Sequence, residues 1–436
     1  MASARPVGAG FFPLDEELAL LPGSLTPALH EQLVRLGAWM PFGPAAKMLV
    51  DFMRLTSVSA PTARRHTEAA GTAYVACQTA AVERLEQHPP WPTQPAEKLC
   101  FSVDGAMVPL NNGEWAEAKT LVIGEVQPVR SQDGPSHEMT QLSYFSRLTD
   151  HETFERLALV ETHRRGLTQA KEAAAVVDGA EWIQGFIDYH RPDALRILDF
   201  PHAAEYLNTL GALTLGDGQS APREWFTQTL HPLKHEGPTA VWAEWQQLQE
   251  AHPDREEVQK ALAYLDKRLA QMHYPGFQAA GWPIGSGAVE SANKLVVEAR
   301  LKGSGMRWAR PHVDPMLALR NVVCGDRWAE AWEQIAPHLR QQAHQRRRIR
   351  SAQTAQVTAP ATETVPEGQP LPAAVKTPTV TLPVSIPAPE KSEPKACPEQ
   401  SRRVKTDPTP WRPAPNHPWR RLPIGKALYQ PATSPN

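Results

Sequence analysis

The stretch Lys98–Leu110, KLCFSVDGAMVPL, constrains the fold more than any other, because it is an apolar run with a single acid, Asp104, at its centre. A run of this length and composition predicts a strand. An ionised carboxylate among apolar neighbours is costly unless it is paired or bound to a cation. The pattern recurs in AAAVVDGAEW, where a second predicted strand closes on Asp178. Glycine follows both acids, and a residue without a side chain lets a ligand or a second backbone approach.

The rest of the middle region sets the order of elements. Residues 118–129 and 139–150 read as two more strands, antiparallel neighbours of the first, and 151–167 as an amphipathic helix. Residues 171–190 read as a strand and a helix, and 194–210 repeat that unit with the strand ending at Asp199. The order β-β-β-α-β-α-β-α predicts an α/β fold, a mixed sheet with helices on its faces, over 98–215. Residues 216–282 break the rhythm with helix-like segments such as TAVWAEWQQLQEAH, a helical insertion before a last core segment, 283–345, that opens with a helix over 285–302.

The flanks differ in character. Residues 15–95 read as a helical domain, with Ser59 capping a helix that has Pro61 in its first turn and exposes Arg64, Arg65 and His66. Two readings stand: a helix-turn-helix whose second helix enters a major groove, or a plain helical hairpin with a polar face. Residues 351–436 hold 18 of the 43 prolines and few aromatics, which predicts a disordered tail. Cys77, Cys100, Cys324 and Cys397 are far apart and form no CxxC pair, which argues against a zinc site or a disulfide framework. No stretch reads as a signal peptide or a membrane span, so a soluble intracellular protein is expected.

Neighbouring strand ends would gather Asp104 and Asp178 at one rim of the sheet. Two carboxylates held together call for a cation, and oxygen-only ligands suit Mg²⁺ or Mn²⁺. Glu290 supplies a third acid from the helix opened by PIGSG, where Val289, Ala292, Val296 and Ala299 form the apolar stripe. Three such acids could hold two metal ions for in-line attack on a phosphodiester. The plainer readings are a turn or cap residue for each aspartate and a helix-dipole partner for Glu290. Asp199 and His202, in DFPH, read as a support for the site, a DNA contact or a cap. Total charge is balanced, 45 Lys and Arg against 47 Asp and Glu, but residues 291–350 hold 12 basic and 5 acidic residues. Such a segment suits phosphate neutralisation or a solvated helix face.

The block YPGFQAAGWPIGSGAVESANKLVVEARLKGSGMRW, followed by MLALRNVV and RWAEAW, resembles the C-terminal catalytic block of bacterial insertion-sequence transposases of the ISKra family. SVDGAMVPL with GEWAEAKTLVIGEV looks like their first catalytic block, and VVDGAEWI with ILDFPHAAEYL like their second; the likeness covers about 20–335. It implies a ribonuclease H-like fold interrupted by a helical insertion, and a DDE transposase whose catalytic and metal-binding acids are Asp104, Asp178 and Glu290. Asp199 with His202 resembles the accessory D-x-x-H element of related transposases and is the alternative second acid. Mg²⁺ or Mn²⁺, as two ions, would be the cofactor.

Further expectations follow from the likeness. The partners would be the element's terminal inverted repeats, bound through 15–95, and target DNA. Lys294, Arg300, Lys302 and Arg307 would position phosphates. The chain would act as a homo-oligomer on DNA in the bacterial cytoplasm, at the nucleoid. The N-terminal region lacks the cysteine-rich module that some relatives carry, which leaves end recognition to the helices. A different nuclease on the same fold and a domesticated DNA-binding regulator are the competing readings.

Overall fold

Five strands form one mixed, open sheet in the order β3-β2-β1-β4-β5. The computed structural model describes residues 25–54, 57–88, 96–131, 134–216 and 218–358. Strands β1 (Lys98–Pro109), β2 (Trp115–Ser131) and β3 (Gly134–Arg147) make an antiparallel meander. Strands β4 (Glu172–Val177) and β5 (Leu195–Leu198) then add on the other side of β1, both parallel to it. The expected order of strands and helices is the observed one.

The alternation of side chains along β1 explains how its two faces are covered. Leu99, Phe101 and Val103 face one way and pack with helices α4 (His151–Arg164) and α5 (Glu181–His190), through Phe154, Ala158, Ile183, Phe186 and Ile187. Asp150 starts α4 by accepting from Thr153 N at 2.8 Å, which satisfies one free N–H of its first turn. Each large apolar side chain buried in this layer contributes about 1.5–3 kcal/mol. Ala106 and Val108 face the other way, under helix α11 (Gly287–Ala292) and its continuation through Asn293–Glu298 to Leu301. That continuation is a π-helical turn where an ordinary helix was expected, so the segment 287–301 is one helix with a widened middle.

Helix α6 (Phe200–Thr214) covers β4 and β5 on the same side as α11. The expected insertion is helical, with α7 (Arg223–His235), α8 (Thr239–Ala251), α9 (Glu256–Asp266) and α10 (Tyr274–Ala279). Its buried Trp245, Leu262, Leu265 and Tyr274 share a core with Ile197 and Leu207, so it is built onto the sheet.

The N-terminal helices do not stand apart as a domain of their own. Helices α1 (Pro27–Trp39), α2 (Phe42–Met53) and α3 (Ala60–Gln87) lead into the C-terminal helices α12 (Arg310–Cys324) and α13 (Trp328–Thr358). Val34, Ala38, Ala70, Ala73 and Tyr74 share one core with Leu319, Val322, Trp328, Ile335 and Leu339. The physical reason is the length of α3: its 28 residues carry buried positions from Ala63 to Val82, more apolar stripe than a short hairpin can cover. Ser59 caps α3 as expected, accepting from Thr62 N at 3.3 Å. The boundary expected at 351 falls inside α13, which runs to Thr358. Residues 15–24, 89–95 and 359–436, with the rest of the expected tail and Cys397, lie outside the described residues. Cys77, Cys100 and Cys324 are free thiols. Among the described residues no helix is long and apolar enough to cross a membrane.

Candidate active site

The parallel register of β1 and β4 brings the first two acids together. Lys98 lies opposite Glu172 and Phe101 opposite Ala175. Carried three residues further, the same register sets Asp104 level with Asp178, just past the end of β4. Strand β5 repeats the step: Val177 lies opposite Leu198, so Asp199 falls beside Asp178. Three aspartates therefore line one rim of the sheet, each from a different strand.

Their surroundings separate them. Asp104 Oδ1 accepts from Gly105 N at 2.7 Å, and Oδ2 accepts from Asn293 Nδ2 at 2.8 Å. Burial pushes its pKa up, the Gly105 N–H pulls it back, and the nearby Asp178 charge raises it again. Asp178 Oδ1 accepts from Ala180 N at 2.9 Å, a short turn closed by its own side chain. Asp199 has both oxygens engaged with backbone: Oδ2 caps α6 through His202 N at 3.0 Å, and Oδ1 accepts from Ser286 N at 2.6 Å. Burial raises its pKa, and the Ser286 and His202 N–H groups work against that. Asp178 is thus the acid that faces Asp104, and Asp199 anchors the Gly-Ser-Gly turn that precedes Glu290.

Glu290 is exposed in the first turn of α11. Its helix is tied to the sheet at both ends, by Ser286 to Asp199 before it and by Asn293 to Asp104 after it. Among the described residues no three His, Cys, Asp or Glu side chains gather into a group that could hold a metal ion. The aspartate pair by itself fits a hydrated divalent cation, since Mg²⁺ keeps several waters and is commonly held by one or two carboxylates. The donors are oxygen only, and the two charges oppose each other. An unpartnered buried oxygen, Asn293 Oδ1, lies on the amide that holds Asp104.

Several neighbours of the site are invisible to a linear reading. Tyr264 Oη donates to the Asp178 carbonyl, and Arg268 Nε donates to the Gly179 carbonyl at 3.1 Å, so α9 and the turn after it hold the loop of the second acid. Gly179 has φ of +81°, and a Cβ there would come within 2.5 Å of Arg268 Nε, so the contact requires glycine. His202, half-buried, lies edge-on to Tyr206 and Tyr264, which stack on each other at 3.9 Å. Glu117 on β2 covers Gly105, where a Cβ would meet its Oε1 at 2.2 Å, and its charge also raises the Asp104 pKa. Glu117 pairs with Lys119 at 2.9 Å. The signal in the sequence is the glycine after Asp104, but the partner needs the β1–β2 register, in which Gly105 lies opposite Lys119.

The expected DNA contacts divide into exposed and buried groups. Arg64 and Arg65 are exposed near the start of α3, Arg64 at 4.0 Å from Glu68 and Arg65 donating to Thr62 Oγ1 at 3.3 Å. Lys294 and Arg307 are exposed, with Arg307 Nη1 donating to Leu110 O at 3.4 Å. Lys302 is partly buried and paired with Glu298 at 2.6 Å. Arg300 is a correction: it is 2% exposed, with Nε donating to Gly37 O at 3.1 Å and its guanidinium over Phe42 and Trp308. Burial, helped by Arg320, lowers its pKa to about 10. Its flat, weakly hydrated head suits capping the end of α1 between aromatic rings, and that role removes it from any phosphate surface. No known family model matches the chain, and no curated protein matches it.

Proposed function

We propose that this chain is a DDE transposase on a ribonuclease H-like fold, which cuts the ends of its insertion sequence and joins them to target DNA. The observation that carries the reading is the pair Asp104 and Asp178, level on adjacent parallel strands, with the helix of Glu290 tied to Asp104 through Asn293. Two opposed carboxylates, with a third exposed on the helix tied to one of them, suit metal-dependent phosphodiester chemistry better than structural duty. Asp104 and Asp178 would hold Mg²⁺ or Mn²⁺, with Glu290 as the third carboxylate and two ions in the complete site. When bound, the metal supplies a nucleophile at neutral pH and stabilises charge on the phosphate.

The chain's own residues bind and orient. Asp199 fixes the turn before Glu290, and Tyr264 with Arg268 fixes the turn that carries Asp178. Lys294, on the helix of Glu290, and Arg307, both exposed, would neutralise phosphates of the cut strand, together with Lys302. Arg64 and Arg65 would contact the terminal inverted repeat. Two ends must be held together, so the working species would be a homo-oligomer on DNA, in the bacterial cytoplasm at the nucleoid.

The test is Mg²⁺-dependent cleavage and joining of end DNA, wild type beside Asp178→Asn, Asp199→Asn and Glu290→Gln. Asp178→Asn and Glu290→Gln should lose all strand chemistry, while Asp199→Asn should keep part of it. Full activity in Glu290→Gln would overturn the mechanism.

A further inference from the structure

Asn293 is a buried amide with only one of its two polar atoms engaged. It is 6% exposed, its Nδ2 donates to Asp104 Oδ2 at 2.8 Å, and its Oδ1 is buried without a partner. A buried acceptor left unpaired is costly, so an unpaired oxygen beside two opposed carboxylates points to a donor that the chain itself does not supply. Aliphatic neighbours on the same helix cannot supply it, because Val289, Ala292, Val296 and Val297 form its buried stripe. The ionised carboxylates of Asp104 and Asp178 accept only.

The position of Asn293 in the chain points the same way. It follows Glu290 by three residues, one helical turn, so both side chains project from one side of the helix. The π-helical widening begins at Asn293, and such single widened turns recur at functional sites. Both polar ends belong to one planar amide, so the free oxygen opens near the carboxylate that the nitrogen holds. A water held between Asp104, Asp178 and Asn293 Oδ1 would have the two or more polar partners that buried water needs.

We propose that Asn293 is a positioning residue of this site, whose Nδ2 orients Asp104 and whose Oδ1 accepts a hydrogen bond from a water of hydration of the divalent cation. This rests on the reading given under Proposed function. A side chain that orients both a ligand carboxylate and a coordinated water acts on the affinity for the ion, and removing such support typically weakens binding about 10–100-fold.

The experiment is a titration of the full chain with Mn²⁺ alone, followed by electron paramagnetic resonance without DNA, beside metal-free binding of end DNA. Asn293→Leu keeps the branched shape and removes both polar ends. It should weaken Mn²⁺ binding at least about tenfold, with metal-free DNA affinity unchanged. Asn293→Ala, which relieves any clash from the larger side chain, should give the same split. Wild-type Mn²⁺ affinity in either folded variant would overturn the role of Asn293 and leave the transposase reading standing. A wild-type chain that binds no Mn²⁺, matching Asp104→Asn, would overturn that reading and this inference with it.

Discussion

Glu161 and Asp104 are both carboxylates drawn out of water, and their neighbours answer them differently. Glu161, on α4, is 2% exposed and meets two guanidiniums, Arg164 on its own helix and Arg327 Nη2 at 3.0 Å. Asp104 is held by two neutral donors, the Gly105 N–H and the Asn293 amide, while Asp178 opposes its charge. Matched charge ties α4 to the segment before α13. At the sheet rim no cation answers the charge of Asp104, and Asp178 opposes it. The contrast separates structural acids from candidate catalytic ones without reference to any relative.

Removing each acid should break the contrast most sharply. Glu161→Gln removes the buried carboxylate that partly buried Arg327 and solvent-reaching Arg164 share, and should lower stability by about 1–3 kcal/mol. Asp104→Asn should do the reverse. Its raised pKa means that the charged form is disfavoured in the folded state. The corresponding stability is present below the unfolded pKa and lost as pH rises through the folded value. At pH 7 the asparagine variant should therefore unfold at an equal or higher urea concentration than wild type, while strand cleavage disappears. Urea midpoints of the two variants at pH 7 check both directions, and a marked destabilisation by Asp104→Asn would erase the distinction.

The sheet was legible in the sequence because apolar runs, alternation and glycine-flanked acids are local signals. Asp104, Asp178 and Glu290 stood out for the same reason. The pairing that ranks them was not local. Register set Asp104 level with Asp178, and what engages Asp199 elsewhere is Ser286, whose N–H meets it from 87 residues away. Asn293, Tyr264 and Arg268 were unreadable because their partners are backbone or side-chain atoms that only folding brings near. Arg300 misled because a basic residue in a basic segment looks exposed, yet its partners are the Gly37 carbonyl and two aromatic rings. The length of α3 hid the docking of the N-terminal helices in the same way, since an apolar stripe does not name what it covers.

A second test sharpens the comparison by moving pH in the helical layer. His30 on α1 lies edge-on to His66 at 4.6 Å and to Trp332 at 5.6 Å, with Nδ1 buried and unpaired. Burial, then the neighbouring His66, lowers its pKa to about 4. Between pH 6.5 and 4 the unfolded chain binds the extra proton, so stability falls as pH falls through that window. The loss at pH 5 should be about 2 kcal/mol. His30→Phe should flatten the dependence of the thermal midpoint on pH between 7 and 5. An unchanged slope would place the sensitivity elsewhere.

The smallest effects come from the two kinds of basic residue in the segment after Glu290, and they should separate cleanly. Arg300→Met leaves the Gly37 carbonyl without its donor and should lower stability by about 1–2 kcal/mol, with DNA affinity unmoved once the variant is folded. Lys294→Ala should leave the thermal midpoint within about 0.5 kcal/mol of wild type, because an exposed side chain away from the core contributes little. If Lys294 neutralises one phosphate, its loss reduces the salt dependence of DNA binding by about one counterion, a change in the log–log slope of about 0.9. Weaker binding with an unchanged slope would mean that Lys294 acts on protein shape. The two substitutions lie six residues apart on one helix, so opposite readouts can only reflect which way each cation faces.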